Sequence, residues 1–327
     1  MVPFSYHAPA DVNAAVSLLA NNWDDAVVLA GGTDLLDQLK ERILRPQKVV
    51  SLKHIAALQG VKTSAANVSI GAMTTLAEVE SNPTLAKNFT VLAQAAHSVA
   101  SPQIRNVGTL GGNICQRPRC WFYRMSEYPC LKKGGTICYA VGGNNKFHAI
   151  FGGGPAFIVH PSDTAPALVA LDAKVTVQPA MGAARTIPLA AFFVLPQDNV
   201  LRENNLKPNE VVTALTLPNP KPGTKSVYLK SREKQSEDFA VASVAMSVTT
   251  NSAGIVQDCR VVLGSVAPIP WRAQAAEAAL KGKKLSEAVA NAAGIAAVQG
   301  AQPMEHNAYK VPLVQGLIRQ AVYQLMA

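Results

Sequence analysis

Four of the chain's five cysteines fall in one stretch, Gly111 to His148, which reads GGNICQRPRCWFYRMSEYPCLKKGGTICYAVGGNNKFH. Cys115, Cys120, Cys130 and Cys138 follow the spacing C-x4-C-x9-C-x7-C. Thiols gathered in this way make disulfides, bind zinc or hold an iron–sulfur cluster. The stretch has no amphipathic period, and ordering it costs about 1–2 kcal/mol per residue in backbone entropy, so a cross-link of one of these kinds is needed. The absence of any C-x2-C pair argues against a zinc ribbon or knuckle. The N-terminal MVPFSYHAPADVNAAVSLL lacks a basic region followed by an apolar one, so the chain reads as made in the cytoplasm and staying there, where disulfides are disfavoured. On the residues alone, cluster, zinc and disulfide stay open. Cys259 sits in an apolar strand-like run and reads as a core thiol.

A second kind of chemistry is written in two glycine-rich turns. The apolar run Ala26–Ala30 ends in Gly31-Gly32-Thr33-Asp34 and a helical stretch from Leu35 to Arg42 follows. Strand, paired glycines, hydroxyl and helix is an arrangement that brings backbone N–H groups close to an anion. It is not the G-x-G-x-x-G fingerprint, so a Rossmann domain is not indicated. The turn Asn106-Val107-Gly108-Thr109-Leu110-Gly111-Gly112-Asn113 is the second. Two such turns can clamp one pyrophosphate from both sides.

The elements that must position these groups read as follows. Residues 1–60 form two βα-type units, with strands at 4–6, 26–30 and 48–52 and Asp11 as N-cap of a helix over 12–19. A strand at 68–71 and helices around 75–80 and 90–99 come next. After the cysteines come a strand at Ala156–His160, the turn Pro161-Ser162-Asp163-Thr164, a helix over 167–171 and a strand over 173–177. The proline-rich connector Leu217–Gly223 marks a domain boundary. The two domains are thus 1–220, with subdomains 1–60 and 61–220 and a cysteine-rich insertion at 115–148, and 221–327. The second has strands at 226–230, 242–249 and 259–264, then helices over 273–280, 285–298 and 311–325.

Composition narrows the function classes. Hydrophobic residues make up 49% and charged residues 16% of the 327, which is a globular balance. No run approaches the roughly 18 apolar residues of a membrane span. The net charge of +9 comes from scattered Lys and Arg with no interleaved aromatics, so a basic docking surface for an acidic partner subunit is favoured over nucleic-acid binding.

LAGGTDLL, SPQIRNVGTLGGNIC, HPSDTAPAL and YLKSRE run in that order along the chain. Together they resemble the FAD-binding medium subunit of molybdenum hydroxylases, the xanthine dehydrogenase and carbon monoxide dehydrogenase family. The cysteine insertion is similar to those of the 4-hydroxybenzoyl-CoA reductase and periplasmic aldehyde oxidoreductase medium subunits, which carry a [4Fe–4S] cluster beside FAD, and the latter is the closer match. The resemblance implies an α+β fold: a two-part FAD-binding domain of the vanillyl-alcohol-oxidase-like type, then a smaller domain with a short antiparallel sheet and helices. It implies that Val27, Val28, Leu29, Ala30, Gly31, Gly32, Thr33, Asp34 and Leu35 wrap the FAD pyrophosphate, with Thr109 and Asn113 on its other side. Ser162 and Asp163 would face the ribose or flavin, Val212 would lie along the cofactor and Lys230 would sit near the isoalloxazine. Cluster ligation would fall to Cys120, Cys130, Cys138 and His148, with Cys115 as the alternative fourth ligand, since Cys115 ends a motif that relatives without the cluster can also carry.

The implied function is electron transfer in a complex. A large molybdenum-cofactor subunit would oxidise an aldehyde or N-heterocycle, and a small subunit with two [2Fe–2S] clusters would pass the electrons to FAD and on to an external acceptor. Co-export on a partner's twin-arginine signal would place the complex in the periplasm despite the lack of a signal here. The rival readings are an aromatic CoA-thioester reductase subunit and a stand-alone zinc-stabilised nucleotide-binding protein.

Overall fold

The first apolar runs pair in parallel. In the computed structural model, which describes residues 1–234 and 237–326, they are β1 (Ser5–His7), β2 (Ala26–Leu29) and β3 (Lys48–Ser51), in the order β1-β3-β2. Parallel neighbours need crossovers, supplied by α1 (Val12–Leu18) and α2 (Leu35–Lys40). Asp11 caps α1 through Oδ1, which accepts from the Ala14 amide at 2.8 Å. Ala15, Val16, Val50, Leu52 and Ile55 close this small core.

The second unit is antiparallel. Strands β4 (Val61–Thr63) and β5 (Asn67–Gly71) lead into α3 (Leu76–Ser81), α4 (Pro83–Asn88), α5 (Thr90–His97), α6 (Pro102–Val107) and α7 (Leu110–Ile114). Thr75 and Glu78 form a reciprocal capping box at the start of α3. The cysteine insertion contributes the single turn α8 (Trp121–Arg124). Then come α9 (Thr164–Ala170), β6 (Lys174–Pro179), β7 (Arg185–Pro188) and β8 (Glu210–Pro218), giving the strand order β4-β5-β8-β6-β7. Alternate residues Val68 and Ile70, Val175 and Val177, and Leu215 and Leu217 face the helices, as the two-residue period of a half-buried strand requires.

The third unit stacks the antiparallel sheet β9 (Thr224–Ser231), β10 (Ala242–Thr250), β11 (Val256–Gly264) and β12 (Trp271–Arg272) on three helices. These are α10 (Gln274–Leu280), α11 (Glu287–Ala297) and α12 (Lys310–Met326). α12 buries Val314, Leu317, Ile318, Ala321, Val322 and Leu325, a helical stripe that packs on β9 and β10. The α+β class expected from the resemblance is the one observed. Among the described residues no helix is long and apolar enough to cross a membrane.

Two local expectations are corrected. Ala156–His160 is not a strand but an irregular segment, with the Ile158 amide turned back on the Ala156 carbonyl at 2.8 Å. Its groups bond singly, the Phe157 carbonyl to the Ala149 amide and the His160 amide to the Ala267 carbonyl, so no ladder forms. The second glycine turn is not an open loop either. Gly108 only separates α6 from α7, and Thr109 caps α7 by accepting from the Gly112 amide at 3.2 Å. Glycine content read as a turn, but tertiary packing of Leu110 and Ile114 makes a helix of it.

A bidentate pair ties β7 to β8 across the end of β6. Arg185 donates to Glu210 at 3.0 and 2.6 Å, and the Lys207 amide adds 2.8 Å. Burial works to raise the Glu210 pKa, but these bonds outweigh it and hold the carboxyl below its ordinary 4.5. Stability from this group is therefore full above the unfolded-state value and lost as pH falls through the lowered folded value. Glu210→Gln lowers the melting temperature near neutrality, and the gap to wild type closes as pH falls below the unfolded-state value and through the lowered folded one. A gap of constant size across an acid series of thermal melts would contradict the pairing.

Candidate functional site

A cleft of about 620 Å³ opens between the first two units, at the end of β2. Gly32 has φ +80°, open to glycine at little cost, and its neighbour Gly31 packs so closely on α6 that a Cβ would collide with the Val107 carbonyl oxygen. The two glycine turns thus meet at the floor of the cleft. Among the described residues the amides of Gly32 and Thr33 find no acceptor, so the turn presents free donors.

Of the residues expected at this site, the run 27–35 lines the cleft except for Leu29, and Thr109, Asn113, Asp163, Val212 and Lys230 line it too. Ser162 stands behind the wall. Its Oγ donates to Asn113 Oδ1 at 2.5 Å, and Thr164 Oγ1 donates to the same oxygen at 2.6 Å. With Oδ1 saturated, Nδ2 is the group Asn113 has left to offer. On the opposite side Lys230, from β9, donates to Asp163 Oδ2 and to the Ser98 carbonyl at 2.8 and 2.9 Å. Tyr228 donates its hydroxyl to Asp163 Oδ1 at 2.6 Å. Burial dominates and leaves the Asp163 pKa above the ordinary carboxylate range, although Lys230 and Tyr228 pull it down.

Asp34 does not point its charge at the free amides. Its carboxylate binds Arg124 at 2.5 Å, Arg119 at 3.2 Å, the Arg117 amide at 3.0 Å and Gln38 Nε2 at 3.0 Å. All three arginines belong to the cysteine insertion. They neutralise an anion that would repel phosphate, and Arg117 and Arg119 also line the cleft.

The cysteines divide. Cys115 lines the cleft, and burial pushes its thiol up to about 12. Cys120, Cys130 and Cys138 instead border a second, much smaller cavity with Phe122, Tyr139 and Ile158. All five cysteines are free thiols. His148 is nearly inaccessible, places Nε2 3.2 Å from Cys120 Sγ and has no partner for its buried Nδ1. Desolvation pulls His148 down to about 4, with the Lys310 charge helping, so the imidazole is neutral, the form that ligates metals. Trp121 and Phe122 pack on the His148 ring at 5.7 and 6.3 Å between centroids. Among the described residues no three His, Cys, Asp or Glu side chains are grouped as a metal-ion site. The donor chemistry suits an iron–sulfur cluster, but the enclosed space is small, and a four-iron cluster requires the insertion to widen around it.

The chain matches two protein-family models. Residues 2–220 match the FAD binding domain in molybdopterin dehydrogenase, and residues 226–325 match the CO dehydrogenase flavoprotein C-terminal domain. The chain belongs to the FAD-binding medium subunits of the molybdenum hydroxylases. It is similar to the aldehyde oxidoreductase FAD-binding subunit of Escherichia coli strain K12, with 36% identity over 86% of each chain. It is also similar to the carbon monoxide dehydrogenase medium chain of Hydrogenophaga pseudoflava, with 30% identity over 98% of this chain and 97% of the other. A solved structure of that organism's carbon monoxide dehydrogenase, lacking the Mo-pyranopterin moiety of the molybdenum cofactor, superposes with a TM-score of 0.78 at 29% identity and full coverage of both chains. This member of the family is thus an FAD-binding subunit of a molybdenum-dependent oxidoreductase, with the molybdenum site on another subunit.

Sequence reasoning missed several groups. Tyr228 belongs to the YLKSRE motif and could have been found there, one strand period from Lys230 on the same face. Gln38, Arg202 and Glu203 reach the cleft from positions with no motif, and only the fold brings them in. Glu203 is buried between Lys132 and Arg117, at 2.5 and 2.6 Å, and so ties the cysteine loop to the cleft rim. Asp163→Asn leaves the buried Lys230 ammonium without its counter-charge. It costs about 3–5 kcal/mol in a denaturant titration, and a loss below about 1 kcal/mol would show that the carboxylate is not what holds Lys230.

Proposed function

We propose that this chain is the electron-transfer subunit of an aldehyde oxidoreductase or xanthine dehydrogenase-type complex, with FAD in the cleft and a [4Fe–4S] cluster on Cys120, Cys130, Cys138 and His148. Its partners are a large molybdenum-cofactor subunit and a small subunit with two [2Fe–2S] clusters. The carrying observation is the parting of the cysteines, three around one small cavity, with His148 Nε2 3.2 Å from one of them, Cys120, and the fourth, Cys115, in the cleft. FAD held in the cleft would supply storage of two electrons, and a cluster held by these thiols would supply one-electron transfer.

The chain's own residues hold and orient. The free amides of Gly32 and Thr33, with Thr109 and Asn113 opposite, serve the pyrophosphate, for which the cleft floor has donors and an Asp34 carboxylate already paired with arginine. Val212, which lines the cleft, would pack along the dinucleotide. Lys230, fixed by Asp163 and Ser98, supplies a cation toward the flavin end, where it favours the reduced, more negative form. Trp121, Phe122 and Tyr139 keep water from the thiols.

The purified complex shows flavin bands over a broad iron–sulfur absorbance. His148→Ala alters the reduced-cluster spectrum and lowers its potential or its iron content, whereas Cys115→Ser leaves both unchanged. A full, unaltered cluster in His148→Ala, or its loss in Cys115→Ser, reverses the ligand assignment, and a colourless zinc-containing protein removes the cluster altogether.

A further inference from the structure

One buried cation is used by nothing described so far. Lys310 opens α12 in the C-terminal domain and is completely buried. Its Nζ donates to the carbonyls of Phe147 and Ser265, each at 2.8 Å. Among the described residues no carboxylate pairs with it, so the ammonium group meets only neutral oxygens. Sealing a charge from water in this way carries a large desolvation penalty unless an anion lies nearby.

The place it occupies is specific. Phe147 immediately precedes His148, and the turn before α12 grips the same backbone. Asn307 Nδ2 donates to the carbonyls of His148 and Ala149 at 3.1 and 3.3 Å. The His306 amide donates to Asn145 Oδ1 at 2.9 Å, and Tyr309 Oη to the Lys146 carbonyl at 2.9 Å. Neutral groups already anchor residues 145–149. A charge adds nothing to that anchoring that another neutral donor would not supply, so its cost calls for an electrostatic return.

We infer that Lys310 is a positioning residue for charge at the cysteine site: the counter-cation of a thiolate-ligated cluster, stabilising the reduced form and raising its potential. This rests on the cluster reading above. Each added electron makes a thiolate-bound cluster more negative, and a fixed cation behind its histidine-bearing segment favours that state. Burial pulls Lys310 down to about 7 with no anion in place, and a cluster's negative charge opposes that shift.

The experiment is a redox titration of the assembled complex followed by electron paramagnetic resonance, with the flavin midpoint as internal reference. Lys310→Gln and Lys310→Met remove the charge, and Lys310→Arg keeps it. In the neutral variants that retain iron, the cluster midpoint shifts to lower potential while the flavin midpoint moves less. If the neutral variants lose iron and Lys310→Arg keeps it, the charge is what the cluster requires, and the inference holds. An unchanged cluster midpoint in a neutral variant with full iron overturns it, as does equal iron loss in all three variants, which would mark Lys310 as a packing residue. A wild-type complex without this cluster's signal is a different result, since it removes the cluster reading beneath the inference.

Discussion

The carboxylate of Asp34 is the group on which both candidate centres depend. It stands at the end of the glycine turn that borders the cleft, yet every partner it has, apart from Gln38, comes from the cysteine insertion. One anion at that position does two physical jobs. It binds the Arg119 and Arg124 guanidinium groups and the Arg117 amide, and in doing so it cancels its own repulsion of a phosphate. The insertion is therefore joined to the flavin-binding unit by a shared charge cluster. Arg117 and Arg124 also lie over the Tyr123 ring, so the joint is packed as well as paired.

The consequence is that cleft and cysteine cavity stand back to back. Tyr123 borders the small cavity and donates its hydroxyl at 2.9 Å to Gln38, which borders the cleft. The segment 156–163 does the same on another side, with Ala156 and Ile158 at the cavity and Pro161 and Asp163 at the cleft. Such short, largely buried connections fix the separation of the cleft and the cavity. The C-terminal unit completes the wall by holding the backbone around His148 from behind.

Much of this was legible in the sequence because the informative residues are local. LAGGTDLL reads as strand, turn and helix, and the structure places Gly31 where only a missing Cβ lets the turn touch the end of α6. The Asp11 cap and the helices around 75–80 and 311–325 follow from the sequence in the same way. What could not be read is what depends on long-range assembly. Tyr228 and Lys230 meet Asp163 across more than sixty positions, and Lys310 meets Phe147 across 163. The failed strand at Ala156–His160 has the composition of a strand but no neighbour to pair with, which composition does not encode. Asp34 was expected among the flavin-wrapping residues, and it does line the cleft, but its bonds to the insertion's arginines are a property of the folded chain.

The claim that one chain holds two adjacent redox groups is tested most directly by diffraction from the native complex at the iron absorption edge. The account predicts an anomalous iron peak enclosed by Cys120, Cys130, Cys138 and His148, with dinucleotide density in the neighbouring cleft between Gly32 and Lys230. A zinc peak at the thiols, no peak there, or iron density bound through Cys115 with His148 turned away would contradict it.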